Sequence, residues 1–489
     1  MSDTCFLTND MFEIGATGIP LYVIREADLQ MFYEETPAYF KIWADSVGFS
    51  ARAGEVCLVP PSSLEDIPNS VSAIEAVLVG MGNEDPKLDN IKFPAEFQLG
   101  SLPAKLPYGI YHLHDKYKLW NVRLASMAWA LGSYRYRYTV ERRENNDDTK
   151  APLLFVDDAE LFARLQTILK GVYLCRDMVN APANHMNVSC LCQVVRDEVS
   201  KFDAACRLVK GNSLFEERYP LIHAVGRAGA SEPALIDVRW GNDNDPHIVI
   251  IGKGVCFDTG GVCIKPPSAM LNMKKDMGGA ATALALAIML MKEGVRVHLR
   301  LLIPAVENSI SSLSFLPGDV IESRSGKTVE VYDTDAEGRL ILADALTAAC
   351  EENPDLVVDF ATLTGAARVA LGGDITPFYT NSAKIADELI RASILEGDPL
   401  WQMPLWDNYS SALHSKVADV ANVGKGGPNA PDSIVAALFL QMFMNRVNNW
   451  VHFDCFSWNS ESSPSKPAGG ECNAARAMFH VLERRYGKG

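Results

Sequence analysis

No stretch of this 489-residue chain stays apolar long enough to span a bilayer, which needs about 20 such residues. Nor does the first segment, MSDTCFLTNDMFEIG, carry the basic residues that begin a secretory signal. Positive charge is scarce: 45 Lys and Arg against 61 Asp and Glu leave a net charge of −16. That balance excludes a general electrostatic grip on nucleic acid, although it leaves room for a local basic patch. No CxxC pair occurs among the eleven cysteines, Cys190 and Cys192 being the nearest approach to one. Without a signal the cysteines are expected to be reduced and buried, and the compartment to be the cytoplasm. There are no internal repeats, no low-complexity tracts and no GxxxxGK[ST] phosphate loop. What is present is an ordinary globular composition, 48% hydrophobic and 22% charged, over a length expected to hold two or more domains.

From Met1 to about Thr149 short apolar runs alternate with loops. LYVIREADL, EVCLVPP and AIEAVLVGMG read as strands, and YKLWNVRLASMAWALGSYRYRY contains a helix. His112 and His114 have no carboxylate or cysteine partner at a ligand-like spacing, so they read as polar positions on a half-buried strand or loop. The charged string ERRENNDDTK, Glu141 to Lys150, is the candidate linker. AELFARLQTILKGVYLCRDMVN then predicts a helix that Pro182 stops. Beyond it, HIVIIGKGVCF, VRVHLRLLIPAVEN and DLVVDFATL read as strands. GGAATALALAIMLMKEG reads as an apolar helix, and another helix begins near Thr364-Gly365-Ala366. Strands apolar throughout and separated by helices predict a mostly parallel sheet covered on both faces, with ligands gathered beyond the strands' carboxyl ends. The fold class is therefore α/β: a large C-terminal domain with a mostly parallel sheet flanked by helices, plus a smaller N-terminal α/β domain. The expected divisions are 1–150, a linker helix over 151–175, and 176–489. KGGPNAPDS (Lys425 to Ser433) and SSPSKPAGG (Ser462 to Gly470) read as surface loops.

Two strings carry the chemistry. VYDTDAEGRLILADAL, Val331 to Leu346, holds Asp335, Glu337 and Arg339 at alternate positions. Read as an extended segment, it projects all three to one side, and a divalent cation would relieve the repulsion of the two acids. GKGVCFDTGGVCIKPPSAMLNMKKDMGG, Gly252 to Gly279, sets Lys253, Asp258, Lys265 and Asp276 among glycines that let the backbone close around a small object. Four carboxylates, Asp258, Asp276, Asp335 and Glu337, exceed the need of one divalent ion and suit two bridged ions. The plainer readings are a solvated surface turn for the first string, and lysines that merely pair with aspartates for the second. Spacing alone does not decide between them, nor does it name a substrate.

GKGVCFDTGG, IKPPSAM, KKDMGGAA, DTDAEGRLILADAL and ATLTGAARVALG resemble the leucine aminopeptidase (cytosol aminopeptidase) family, two-metal enzymes that release N-terminal residues from peptides. The likeness runs from roughly Arg176 to near the C-terminus. The N-terminal part is similar to the family's smaller domain only in general layout and in ALGSYRY. The resemblance implies metal ligation by Lys253, Asp258, Asp276, Asp335 and Glu337, with Asp258 and Glu337 bridging the two ions. A ligating lysine must be a neutral amine, so the ions would have to depress its pKa. Lys265 would be the electrophile aimed at the scissile carbonyl, and Arg339 would hold a bicarbonate that takes the proton from the metal-activated water. Met273, Thr362, Leu363 and Gly365 would line the pocket for the first side chain, leucine-like or otherwise apolar, with Asp333 on the leaving side. Manganese or zinc is the expected metal, with cobalt also compatible, and peptides are the expected substrates. The expected assembly is a homohexamer with no membrane or nucleic-acid partner.

Three departures from the family pattern stand out. Asp333 replaces an asparagine common in the family, which bears on the preference at the second substrate residue. Cys256 and Cys263 stand where hydroxyl or other small residues are expected, and read as small buried hydrophobes. His185 follows the NAPAN string where an acid or another polar residue is common, and it receives no role. His452, in WVHFDCFSW, reads as a satisfied core histidine. Two rivals remain at this level. A two-metal phosphohydrolase also uses carboxylate clusters, and release of leucine from a leucyl amide without phosphatase activity separates it. A non-catalytic scaffold on the same fold is the other, and the seven filled catalytic positions and the acidic balance speak against it.

Overall fold

The structure is a computed structural model that describes residues 6–7, 18–62, 74–83, 94–114, 120–136, 151–424, 431–444 and 447–487. The candidate linker from Glu141 to Lys150 lies outside the described residues, as do residues 425–430 of the expected loop. The chain divides into one unit of residues 1–169 with 460–468, and a second of 170–459 with 469–489. The helix Ala159–Asn180 runs through that division and ends two residues before Pro182.

The first unit is built on the strands β1 (Phe6–Leu7), β2 (Ile19–Ile24), β3 (Val56–Val59), β4 (Ala76–Gly80), β5 (Ile110–His114) and β6 (Leu153–Phe155). They lie in the order β1-β6-β5-β2-β4-β3, parallel except for β3 against β4. Every residue of β4 is buried, and Phe32, Phe40, Ala44 and Leu78 form part of the core beside it. The predicted helix runs from Val122 to Ser133. A Cβ on its Gly132 would lie 1.8 Å from the carbonyl oxygen of Gly100, so only glycine lets this helix meet the 3-10 segment Ala95–Ala104. The expected surface loop Ser462–Gly470 is exposed at Ser462, Ser463 and Ala468 but not throughout. Its Ser465 is buried and donates from its hydroxyl to the carbonyls of Phe97 (2.8 Å) and Ala128 (3.3 Å). Those carbonyls need a donor, and the segment supplies it.

In the second unit the strands are β7 (Ala205–Lys210), β8 (Ala234–Trp240), β9 (His247–Gly252), β10 (Gly254–Asp258), β11 (His298–Asn308), β14 (Leu356–Ala361), β15 (Thr376–Thr380), β16 (Leu400–Gln402) and β18 (Trp450–Asp454). Their order is β16-β15-β18-β14-β9-β11-β8-β7, and β10 extends the pairing of β11. The central strands β18, β14, β9 and β11 are parallel, as their largely buried, mostly apolar runs suggest, while β15, β8 and β7 pair antiparallel toward the edges. A smaller sheet joins β12 (Val320–Glu322), β13 (Thr328–Glu330) and β17 (Val420–Ala421), and β19 (Trp458–Asn459) pairs with β20 (Gly469–Gly470).

Alternation along β9 assigns its two faces. Val249 and Ile251 pack in one core with Leu340, Ile341 and Leu342 of the helix Glu337–Cys350. A Cβ on Gly252 would instead meet Ala280 at 2.5 Å, which places the helix Gly278–Glu293 on the opposite face. That helix is buried from Gly278 to Met291, and Gly294 ends it in the left-handed conformation at φ 67°. The sheet is thus covered on both sides, as the sequence predicted. Asp432 and Ser433, placed by sequence in a surface loop, open the helix Asp432–Gln441, where acid at the first turn meets the positive end of the helix dipole.

Candidate active site

The loops beyond β9, β10, β11 and β14 converge at the carboxyl ends of the central strands. Lys253 follows β9 directly and is buried. Its Nζ lies 2.8 Å from Asp276 Oδ2 and 3.0 Å from Glu337 Oε1, and it donates to the carbonyl of Thr362 at 2.8 Å. Asp258 closes β10 and accepts from Gly260 N and Asn308 Nδ2, both at 2.8 Å. Lys265 Nζ is 2.9 Å from Asp258 Oδ2 and also pairs with Asp335. Asp276 sits in the 3-10 turn Met273–Met277 and takes a 2.7 Å bond from the Thr362 hydroxyl. The six expected residues around the acids, Lys253, Asp258, Lys265, Asp276, Asp335 and Glu337, therefore form one connected cluster.

Local geometry differs from the sequence reading at one point. Asp335 lies in a turn, whereas Glu337 is the first residue of the helix Glu337–Cys350 and Arg339 belongs to the same first turn. The strand alternation invoked for all three does not operate, because the turn at Thr334–Asp335 swings the chain into a helix. The carboxylates still converge: oxygen atoms of Asp258, Asp335 and Glu337 all lie within 4.8 Å of one another.

Four carboxylates against two ammonium groups leave a surplus of negative charge in a largely buried place. Burial, with the Asp258 charge behind it, pushes the Asp335 carboxyl up to about 7 and Glu337 well above its usual range. Burial also raises Asp276, with Lys253 opposing. Burial works against the ammonium groups of Lys253 and Lys265, but the carboxylates outweigh it and hold both above the ordinary lysine range. Such crowded oxygen donors with a charge surplus fit divalent cations, and Lys253 would have to lose its proton to join them as a ligand.

Gly338 shows how closely Lys253 is held. A Cβ there would meet Lys253 Cε at 2.4 Å and Nζ at 2.7 Å. Gly338→Ala favours the helix by about 1 kcal/mol in propensity, yet it must displace a side chain pinned at three points. Turnover is expected to fall at least about tenfold and the melting temperature to hold or drop slightly, as kcat and melting curves would record. Unchanged kcat would mean that Lys253 moves without consequence.

Arg339 is buried and donates to the carbonyl of Asn422 at 2.8 Å and to Asp432 Oδ1 at 3.2 Å, while its Nε has no hydrogen-bond partner among the described residues. Asn422 also accepts from the backbone N–H of Tyr332 (2.8 Å) and donates to the Asp333 carbonyl (2.6 Å). Asp333 in turn accepts from Asp335 N at 2.8 Å, so its carboxylate shapes the acidic turn. Met273 is half-buried in the Asp276 turn. Thr362, Leu363 and Gly365 lie beyond β14, Thr362 buried and Gly365 exposed.

Sequence reasoning missed several residues here. Asn308 links Asp258 to the Thr334 carbonyl at 3.0 Å and reaches Glu337 at 3.4 Å. Asp454 accepts from Leu363 N and Thr364 N at 3.1 Å and from the Thr364 hydroxyl at 2.6 Å, fixing the Thr362–Gly365 segment. Ser457 is wholly buried at φ 53°, a strained position for serine. A polar side chain at the ends of β11 and β18 was the signal available for Asn308 and Asp454, but no spacing rule singles these out. His452 pairs with Asp359 at 2.6 Å in the core, beside Trp450, whose Nε1 donates to the same carboxylate at 2.7 Å. His112 and His114 lie on β5 of the other unit. Cys256 is buried and Cys263 half-buried, and every cysteine among the described residues is free.

Comparison with known proteins gives consistent matches. A sequence model of the cytosol aminopeptidase family, catalytic domain, matches residues 173–479, and one of the M17 aminopeptidase N-terminal domain matches residues 19–152. A probable cytosol aminopeptidase of Chlamydia caviae is 36% identical over 378 residues, covering 75% of this chain and 75% of that protein. Another from Syntrophotalea carbinolica is 38% identical over 369 residues, 72% of this chain and 73% of that protein. Among solved structures, the cytosol aminopeptidase of Coxiella burnetii gives a TM-score of 0.87 at 40% identity, covering 99% of each chain. The bottromycin maturation enzyme BotP, solved in complex with Mn, gives 0.80 at 27% identity, covering 96% of this chain and 100% of that one.

Proposed function

Because this chain belongs to the cytosol aminopeptidase family, whose members are metal-dependent aminopeptidases, we propose that it removes leucine-like or other apolar first residues from peptides. The observation that carries this is the cluster itself: carboxylates from separate loops crowd within shared reach at the sheet's carboxyl edge. Lys253, Asp258, Asp276, Asp335 and Glu337 would hold two divalent ions, manganese or zinc. When bound, such ions supply Lewis acidity toward a peptide carbonyl and a water.

The chain's own residues then divide the remaining work. Lys265, held as an ammonium by Asp258 and Asp335, would donate to the scissile carbonyl oxygen as charge develops there. Arg339, whose buried Nε has no partner among the described residues, would hold a bicarbonate as proton acceptor. Met273, Thr362, Leu363 and Gly365 would receive the first side chain, with Asp454 keeping their loop in place. Asp333 would lie on the leaving side. The domains would divide as 1–150, 151–175 and 176–489. A homohexamer in the cytoplasm, acting on peptides and on neither membranes nor nucleic acid, completes the reading. Among the described residues no helix is long and apolar enough to cross a membrane.

Metal analysis joined to a screen of aminoacyl amides tests the proposal. Two ions per subunit and release of leucine from leucyl amide are expected. One ion or none, or no turnover of any amide, would overturn it.

A further inference from the structure

Asp454 closes β18 and is buried, yet the donors that reach it are all uncharged. A carboxylate taken out of water without a counter-ion is costly unless hydrogen bonds fill its lone pairs. Here Oδ1 accepts from the backbone N–H groups of Leu363 and Thr364, both at 3.1 Å. Oδ2 accepts from the hydroxyls of Thr364 at 2.6 Å and Ser433 at 3.0 Å. The single hydroxyl proton of Ser433 is thereby committed. In its 2.7 Å bond with the Tyr379 hydroxyl, the tyrosine must therefore be the donor. Tyr379 is itself wholly buried and stacked on His452, with ring centroids 5.8 Å apart. The chain from Tyr379 through Ser433 to Asp454 has one direction, and it ends on the segment that follows β14.

That segment has two separate holds. Thr362 is tied to the acidic cluster, its carbonyl accepting from Lys253 and its hydroxyl donating to Asp276. Leu363 and Thr364 lie past the end of β14 at Ala361 and are tied to Asp454 instead. Because the Thr364 proton points at Asp454, its oxygen keeps a lone pair for Ala367 N at 3.3 Å, which starts the turn Gly365–Leu371. The expected metal ligands thus sit on one hold. Leu363 and Gly365, expected walls of the pocket for the first side chain, depend on the other. A change at Asp454 reaches those walls without passing through Lys253 or Asp276.

We propose that Asp454, oriented by Ser433 and Tyr379, is a positioning residue that sets the shape of this pocket and with it the preference for leucine-like over smaller first residues. The inference rests on the aminopeptidase reading. Its readout is the leucyl-to-alanyl ratio of kcat/KM, because the two amides share the reacting atoms and differ in the side chain that the walls enclose. In Asp454→Asn the amide still accepts from the two N–H groups but turns donors toward the two hydroxyls. The ratio should fall by about tenfold, carried by KM for the leucyl amide, with bound metal retained. Ser433→Ala and Tyr379→Phe should each move it the same way by about threefold, the scale of one hydrogen bond in the chain. Ser433→Ala added to Asp454→Asn should bring no further fall, since Ser433 acts through Asp454. A carboxylate with a purely structural part would lower the melting temperature and depress both amides alike. An unmoved ratio in Asp454→Asn, or in Ser433→Ala where Asp454→Asn does not fold, would therefore overturn the inference. So would loss of bound metal together with the leucyl preference. Turnover of neither amide by the unaltered enzyme would instead sink the aminopeptidase reading beneath it.

Discussion

Lys265→Ala is expected to lower kcat by about 10²–10³-fold, the scale of removing one preorganised donor to a developing oxyanion. The side chain is only 14% exposed, and Asp258 and Asp335 grip its ammonium, so little freedom remains for it to be elsewhere. Alanine also removes a positive charge that shares those two carboxylates, so retention of divalent ions should hold or improve. The signature is therefore specific: kcat falls, while metal content, oligomer size by light scattering and the melting curve stay put. Loss of metals along with activity would assign Lys265 a structural part instead. Undiminished kcat would remove it from the reaction. Lys265→Arg, which keeps the charge but replaces the compact ammonium with a longer, planar group, should recover little.

Chelation should abolish activity, and the affinity of re-added Mn or Zn should depend steeply on pH. Burial and the Asp258 charge push the Asp335 carboxyl up to about 7, and Glu337 and Asp276 are raised as well, so protons compete with cations for the same oxygens. Below about pH 7 the metal Kd is expected to weaken by at least about tenfold per pH unit, with protons released on binding. The sign reverses for the stripped protein. A carboxyl raised from 3.8 to about 7 lends stability fully below about pH 4, and that contribution is lost as the pH climbs through about 7. Melting curves with and without metal should thus converge toward acid and separate above neutrality. Metal affinity flat between pH 5 and about 8 would contradict the clustering of these acids.

Much of the architecture was readable because burial on both faces leaves a plain record in composition. The runs now seen as β9 and β14 are apolar at nearly every position, β11 is apolar through its middle from Leu301 to Val306, and the helix Gly278–Glu293 is apolar nearly all round. The acidic and basic residues of the cluster were readable because several share short strings. Residues that act alone were not. Asn308, Asn422 and Asp454 look like ordinary strand-end polar residues, and only the fold reveals that each satisfies two or more backbone or carboxylate groups at the site. The turn before Glu337 was misjudged because alternation in sequence says nothing about where a strand-like segment hands over to a helix. The Ser462–Gly470 segment was read correctly at its exposed Ser462, Ser463 and Ala468 but not at buried Ser465, because proline, serine and glycine signal a bend equally well on the surface and in the interior.

That last segment limits how the N-terminal unit can be inherited. Residues 460–468 count with residues 1–169, although some 290 residues of sequence separate the two stretches. Gly100 leaves space that Ser465 fills, with its Oγ 2.0 Å from where a Cβ would stand. A gene fragment stopping at residue 169 would encode the unit without its plug. Recombination could not trade this unit between relatives as a cassette unless a second exchange, far downstream, carried the matching nine residues.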